Sequence, residues 1–413
     1  MSVLETALRY PRLRLRRLRD QLRSSLWVAP ALAVVAAIAV AVLLITLDGA
    51  LAQDRSAWFL FDGGPESARE LLSTITSAML TFTALVFSIT VLVLQLASSQ
   101  FSPRVIRTFM RERATKWAMS AFVGTFVYSM VVLSQVRTVE PAFVPAAATW
   151  FGLVLVLVSV GVFIHYIHSM AHSIRAISVI SKIAAETRHG IDRMFPAVLE
   201  EAAPETVAFP AGPPRQVIAL AGAPGVLGFV DTERLVGLAT HHDAVIEIVP
   251  CLGTFLVTGA PVFRVWGAVL DEEPCLATVA IELERTMEQD PAFGLRQLVD
   301  IAVRALSPGT NDPTTATQAL DHIHDVIRRL TVRSFPARMR VDEEGTPRII
   351  AARPAFQVYV SLAFEEIRIF GAKSPQVVRR LRAALEDCAA QANDAERRQV
   401  LEQELRALDR ACA

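Results

Sequence analysis

Four stretches of this chain, about 26–47, 72–97, 117–136 and 143–168, are each long and apolar enough to cross a hydrocarbon core of roughly 30 Å. In lipid a backbone must satisfy its own N–H and C=O groups, so each stretch is read as a helix. Their flanks set an orientation. Arg9, Arg12, Arg14, Arg16, Arg17, Arg19 and Arg23 precede the first stretch, and Arg104, Arg107, Arg111, Arg113 and Lys116 separate the second from the third. The loop 48–71 holds Arg55 and Arg69 against Asp48, Asp54, Asp62, Glu66 and Glu70. The positive-inside bias therefore places both termini in the cytoplasm. The basic start and "ALAQ" at 50–53 also fit a cleaved secretory signal, but the apolar run is about twice an ordinary signal core, which favours an uncleaved helix.

The segment 1–25 is basic, and if helical it sets Leu8, Leu15, Leu18 and Leu22 on one face with arginines on the other. It suits the surface of an anionic leaflet, so anionic lipid head groups are expected partners; a plain topology signal is the simpler account. Ser102 and Pro103 similarly open a short basic helix with Val105, Ile106, Phe109 and Met110 as its apolar stripe. With 41 basic and 41 acidic residues the net charge is +0, and nothing points to nucleic acid. Cys251, Cys275, Cys388 and Cys412 have no CxxC spacing and read as ordinary thiols.

The second stretch carries two polar rows. Ser73, Thr74, Ser77, Thr81, Ser88 and Gln95 share one face at 100° per residue, while Thr76, Thr83 and Thr90 recur on another. Lipid should not meet both, and the rows suit either helix packing or a pore lining. No charged residue lies in the central part of any stretch, which disfavours a proton-coupled pump or ion-coupled carrier. At the end of the fourth, His165, His168 and His172 fall on one face. The outer two lie about 10 Å apart by helical rise, too far to share one ion, so they read as interfacial histidines rather than a metal site.

Beyond residue 190 the pattern changes. Residues 191–214 form a Pro-rich linker, and 215–288 a β-rich module with strands at "QVIAL", "GVLGFV", "AVIEIV", "GTFLV" and "VFRVWG" around a helix "DTERLVGLATHH". Residues 289–413 read as helical, with helices from 291 and 313 and at 354–370, 375–391 and 394–411. Between the first two lies "ALSPGTNDPTTA" (305–316), in which Pro308 and Gly309 reverse the chain, Asp312 caps the next helix and Pro313 occupies its first turn. Ser307, Asn311, Thr314 and Thr315 crowd that helix N-terminus, so the motif is either a rigid hairpin or an anion clamp. His241, His242 and Asp243, and His322 with Asp325, offer too few ligands for a metal. No GxSxG, P-loop, GxGxxG with its acid or HExxH is present, so no catalytic residue, metal or cofactor is assigned. An enzyme would need Asp300, Asn311, Asp312 and His324 to converge.

"LASSQFSPRVIRTFMRE", "FIHYIHSMAHSI", "QDPAFGLRQLVDIAVRALSPGTNDPTTATQALDHI" and "AFEEIRIFGAKSP", in this order, resemble the bacterial predicted-membrane-protein family called domain of unknown function 2254. The resemblance covers nearly the whole chain and supports its architecture without supplying an activity. The fold class expected is a membrane α-helical domain (26–190, four spans with a cytoplasmic helical extension) followed by a cytoplasmic α+β domain with a small β-rich module and a helical C-terminal part. Two functions fit it: a homo-oligomeric, channel-like protein of the bacterial inner (cytoplasmic) membrane gated by its cytoplasmic domain, or a membrane-anchored sensing or scaffolding protein whose cytoplasmic domain binds a ligand or partner.

Overall fold

The computed structural model describes residues 27–51, 64–100, 112–139, 143–195, 210–287 and 289–412. The arginine-rich segment 9–23 and the short helix expected from Ser102 lie outside the described residues. The described residues form two compact units, one from Trp27 to Ser178 and one from Val179 onward.

The first unit contains four helices long and apolar enough to cross a membrane: α1 (Val28–Leu51), α2 (Pro65–Gln100), α3 (Arg113–Gln135) and α4 (Ala146–Ser173). Each expected stretch is present, and α2 begins seven residues earlier than its apolar run because Pro65 and Glu66 make a good first turn. The central helix is α3, which packs against the other three and buries the largest share of its surface. It is also the least apolar, for a physical reason: Thr125, Tyr128 and Ser129 are tolerable because they face protein and not hydrocarbon. Thr125 and Ser159 of α4 lie 3.1 Å apart, and the Tyr128 hydroxyl donates to the Ala148 carbonyl at 2.7 Å. Small residues allow close approach: a Cβ on Gly124 would touch Ala33, and one on Gly152 would touch Tyr128. Asp48, near the end of α1, accepts from the Ala147 and Ala148 amides at 3.2 and 3.1 Å, capping the first turn of α4 from another helix.

The second unit is α+β, with α5 (Ala176–Met194) leading into it. It has β1 (Gln216–Ala219), β2 (Gly225–Val230), α6 (Thr232–His241), β3 (Val245–Ile248), β4 (Phe255–Leu256), β5 (Pro261–Trp266), α7 (Glu272–Leu276) and β6 (Val279–Glu282). Then follow α8 (Pro291–Ala305), α9 (Pro313–Val332), β7 (Met339–Val341), β8 (Pro347–Ala351), α10 (Phe356–Gly371), α11 (Pro375–Gln391) and α12 (Ala395–Cys412). One sheet runs β1-β5-β3-β8-β7 and the other β4-β2-β6. Within the larger sheet only β3 and β8 are parallel. The region expected to be helical also contributes a hairpin, β7–β8, which completes a sheet begun about a hundred residues earlier. Alternating side chains of both sheets, including Ile218, Leu227, Ile246, Phe263, Val265 and Ile349, form one core with Leu235 and Ala239 of α6. Gly225 is required in β2: a Cβ there would stand 2.7 Å from the Glu282 carbonyl of the neighbouring strand.

Candidate functional site

On α2 the buried residues Leu72, Ile75, Met79, Val86 and Val93 define the face that packs on the bundle. At 100° per residue, Ser73, Thr74, Ser77, Thr81, Ser88 and Gln95 point the opposite way, and all six are exposed. Thr74, Thr81 and Ser88 donate to the carbonyl four residues back at 2.9–3.0 Å. Ser73, Ser77 and Gln95 make no side-chain hydrogen bond among the described residues. Thr76, Thr83 and Thr90 flank the packed face, half-buried, with hydroxyls returned to their own helix at 2.7 Å. Thr90 also lies 3.0 Å from the Tyr166 hydroxyl of α4. One row is therefore internal packing, and the other meets no other helix among the described residues.

His165, His168 and His172 are exposed along α4. The rings of His168 and His172 sit 4.3 Å apart, and His172 Nδ1 is 3.0 Å from the His168 carbonyl, a local helix-end arrangement.

The 305–316 turn is a self-satisfied hairpin. Ser307 O accepts from the Thr310 and Asn311 amides, and the Asp312 amide donates to Ala305 O at 2.7 Å. The left-handed residue is Asn311, at φ +44, and not Gly309; asparagine is among the few residues that take this conformation at low cost. Asp312 accepts from the Thr315 amide at 3.0 Å and from the Thr315 hydroxyl. The helix N-terminus is thus filled by its own carboxylate, and those hydrogen bonds hold the Asp312 carboxyl below its ordinary value. Asn311 and Thr314 stay exposed at its rim. Asp312→Ala is expected to cost about 1 kcal/mol. Because the folded-state value is depressed, this stability is present above the unfolded carboxylate value and is lost as pH falls through the folded one. The stability difference between wild type and Asp312→Ala, measured by urea unfolding, should therefore shrink towards strongly acidic pH.

His324, Asp387 and Cys388 bring their ligand atoms within 4.8 Å of one another, a grouping invisible in sequence because 63 residues separate His324 from Asp387. Arg380 is 2.9 Å from His324 Nδ1, and since arginine only donates, Nδ1 accepts and Nε2–H donates to Asp387 at 2.7 Å. Asp387 also takes Arg328, and burial pushes the Cys388 thiol up to about 12. Both imidazole nitrogens are occupied and the sulfur stays protonated, so the cluster is an ionic tie between α9 and α11. Asp300 belongs to another tie: Arg296 bonds Asp300 at 2.7 Å and grips Glu366 of α10 with both terminal nitrogens. Asp325 pairs with Arg188 and Arg329, and Asp243, at φ +50, takes Arg348. His324 lies about 18 Å along α9 from Asp312, so Asp300, Asn311, Asp312 and His324 do not converge.

What converges instead is a cavity of about 630 Å³ in the second unit. Its wall joins the end of α5 (Arg193, Phe195), the turn after β3 (Pro250, Leu252), the start of α8 (Gln289, Asp290, Pro291), the stretch after α9 (Ser334, Phe335, Arg340), the exit of β8 (Arg353, Pro354) and Tyr359 of α10. The "QDPAFG" stretch builds the wall residue by residue. Gln289 exchanges two hydrogen bonds with the Val230 backbone, and Arg285 holds Asp290 at 2.6 and 2.9 Å. A Cβ on Gly190 would touch Pro291, while one on Gly294 would collide with Thr187 of α5. Gly253, at φ +82, lies against the Arg285–Asp290 pair, where a Cβ would come 2.5 Å from the carboxylate. Phe195, Phe335 and Tyr359 form an edge-to-face cluster with centroids 5.1–6.2 Å apart. Of these wall residues, Gln289, Asp290 and Pro291 are marked in the sequence, by the Asp-Pro helix start and the family stretch that opens on them; the others do not stand out.

The profile of the family described as predicted membrane protein (DUF2254) matches residues 23–387. Uncharacterised proteins of Mycobacterium bovis and Mycobacterium tuberculosis are each 33% identical over 406 residues, covering 95% of this chain and 77% of theirs. No solved structure matches the chain.

Proposed function

We propose, from the premise that the chain belongs to the DUF2254 family of predicted membrane proteins, that it crosses a bacterial inner membrane four times and assembles into a homo-oligomer around the polar face of α2. Both termini lie in the cytoplasm in this reading. The oligomer gives a channel-like path under the control of the C-terminal unit. The observation that carries it is that Ser73, Thr74, Ser77, Thr81, Ser88 and Gln95 point directly away from the four-helix bundle. The Gln95 amide facing hydrocarbon would leave two donors and an acceptor unpaired, at a cost of several kcal/mol. A second copy or water removes that cost. Thr81→Cys and Ser88→Cys, in a chain lacking its four native cysteines, are expected to react with water-borne thiol reagents after reconstitution. Single-channel currents in planar bilayers should accompany this labelling. Unreactive cysteines together with electrically silent bilayers across voltage, tension and pH would sink the channel reading; cross-linking between copies at the same positions would leave the oligomer standing.

A second reading, a membrane-anchored sensing or scaffolding protein, is favoured by the cavity of the second unit. Part of its wall is the end of α5, a helix that starts at Ala176 directly after α4 ends at Ser173.

A further inference from the structure

We infer that the polar face of α2 conducts monovalent cations, with Glu66 and Glu70 drawing them to one mouth. This rests on the first reading above, that copies of α2 gather around an axis, and adds the sign and class of the ion. Register along α2 is the first argument. Thr74, Thr81, Ser88 and Gln95 follow one another at seven-residue steps. In a straight helix such a row drifts by about 20° per step, and the left-handed winding of helices around a common axis removes that drift. Copies wound in this way present the four positions as rings about 10 Å apart.

The state of the hydroxyls decides which ion they suit. Thr74, Thr81 and Ser88 give their protons to the carbonyls of Glu70, Ser77 and Ala84, four residues back. Each of those oxygens therefore turns only lone pairs away from the bundle. Acceptors replace the hydration shell of a cation and repel an anion. An anion would be left with Ser73, Ser77 and the Gln95 amide as donors, and with no cationic side chain on the row.

Charge is an independent argument. Glu66 and Glu70 fall within about 40° of the row's centre, at the N-terminal end of α2, whereas Arg69 stands about 90° from it. Both carboxylates are exposed and make no hydrogen bond or ion pair among the described residues. A favourable contact with the helix dipole accounts for Glu66 in the first turn, but that effect fades within one turn and leaves Glu70 unexplained. Repeated around an axis, the pair forms an acidic mouth, which concentrates cations. Beyond it no acid occurs from Leu71 to Gln100. Calcium and magnesium hold their water tightly and are bound through carboxylates, so hydroxyl rings alone suit the weakly hydrated alkali ions.

The test is electrical recording from the full chain in planar bilayers of uncharged lipid, with KCl about ten times more concentrated on one side. The current should reverse on the potassium side, at a potassium-to-chloride permeability ratio of about ten or more. Calcium chloride in place of KCl should leave little cation current. Glu66→Gln together with Glu70→Gln should lower potassium conductance about threefold at roughly 0.05 M salt and hardly at all at about 1 M, where the screening length falls to about 3 Å. Thr81→Val, which keeps the shape and removes the oxygen, should lower it about tenfold; Thr81→Ser, which restores the oxygen, should recover it. Reversal on the chloride side, or no preference, overturns the cation assignment and leaves the channel standing. Calcium carrying as much current as potassium overturns the monovalent class. Conductance indifferent to both the glutamine pair and Thr81→Val removes this face of α2 from the path. Bilayers silent across voltage, tension and pH overturn the channel reading and the ion assignment together.

Discussion

Arg397→Ala is expected to lower the stability of the C-terminal unit by about 3 kcal/mol, the largest effect of any single side-chain truncation proposed for this chain. Arg397 projects from the first turn of α12 and is 7% exposed. Its Nη1 lies 2.8–2.9 Å from the carbonyls of Leu330, Thr331 and Arg333, at the C-terminal end of α9, where backbone acceptors have no partners within their own helix. The same guanidinium stacks on Phe335 of the cavity wall at 4.9 Å and on Phe356, whose ring packs edge-on against Phe335, at 5.2 Å. Truncation strands buried carbonyls, removes a cation from the negative end of a helix and opens a hole beside two aromatic faces. A charged hydrogen bond contributes about 1.5–3 kcal/mol, and these contacts share one group, so their sum is discounted to about 3. Arg397→Lys should recover less than half, because an ammonium cannot span those carbonyls in one plane. Urea unfolding of the full chain reads both values. A loss below about 1 kcal/mol for the alanine variant would mean that water replaces the guanidinium freely.

The second large effect reverses a familiar sign. In a helix interior, Gly→Ala normally stabilises by roughly 0.5–1 kcal/mol through propensity alone. At Gly237 of α6 an added Cβ would meet nothing within 4 Å, so Gly237→Ala should show that gain. Gly294 of α8 faces Thr187 of α5, and an added methyl would overlap the Thr187 hydroxyl and come 2.8 Å from Met287 Sδ. Overpacking costs about 1–3 kcal/mol, and α5 is held further by Gly190 against Pro291 and by Arg188 to Asp325, so it cannot simply step aside. Gly294→Ala should therefore destabilise by about 2 kcal/mol net of the propensity gain. Thr187→Ala in the same chain should restore part of the loss, because it removes the hydroxyl that collides. A stabilising Gly294→Ala would show that the α5–α8 crossing is loose, and with it the cavity wall that ends α5.

How much of this is legible before folding differs by element. The last three helices match their expected limits closely (Phe356–Gly371, Pro375–Gln391, Ala395–Cys412), because their apolar spacing and, for the second, the proline start are local signals. The strands around α6 are legible for the same reason, and Asp231 caps that helix as its position suggests, accepting from the Arg234 amide. The β7–β8 hairpin is not: "PRIIA" is too short to announce itself, and its reason for being a strand is β3, with Ile246 facing Ile349 across the sheet. On α2 the two polar rows do lie on separate faces, but only packing identifies which row is internal. The 305–316 turn is legible as a capped hairpin, and the remaining choice between closed and open falls to one geometric fact, that Asp312 already occupies the Thr315 amide.

What the sequence by itself determined were the properties carried by neighbours along the chain: four apolar helices, the Asp231 and Asp312 caps, the hairpin between α8 and α9, and the family motifs. The tertiary structure alone decided which polar groups meet. The Asp48 cap of α4, the Arg296–Glu366 clasp, the His324–Asp387 tie and the cavity each join residues about 60 to 160 positions apart. Helix and strand periods report which face a residue occupies, but hydrogen bonds and ion pairs act over about 3 Å, and that precision exists only once the faces have packed.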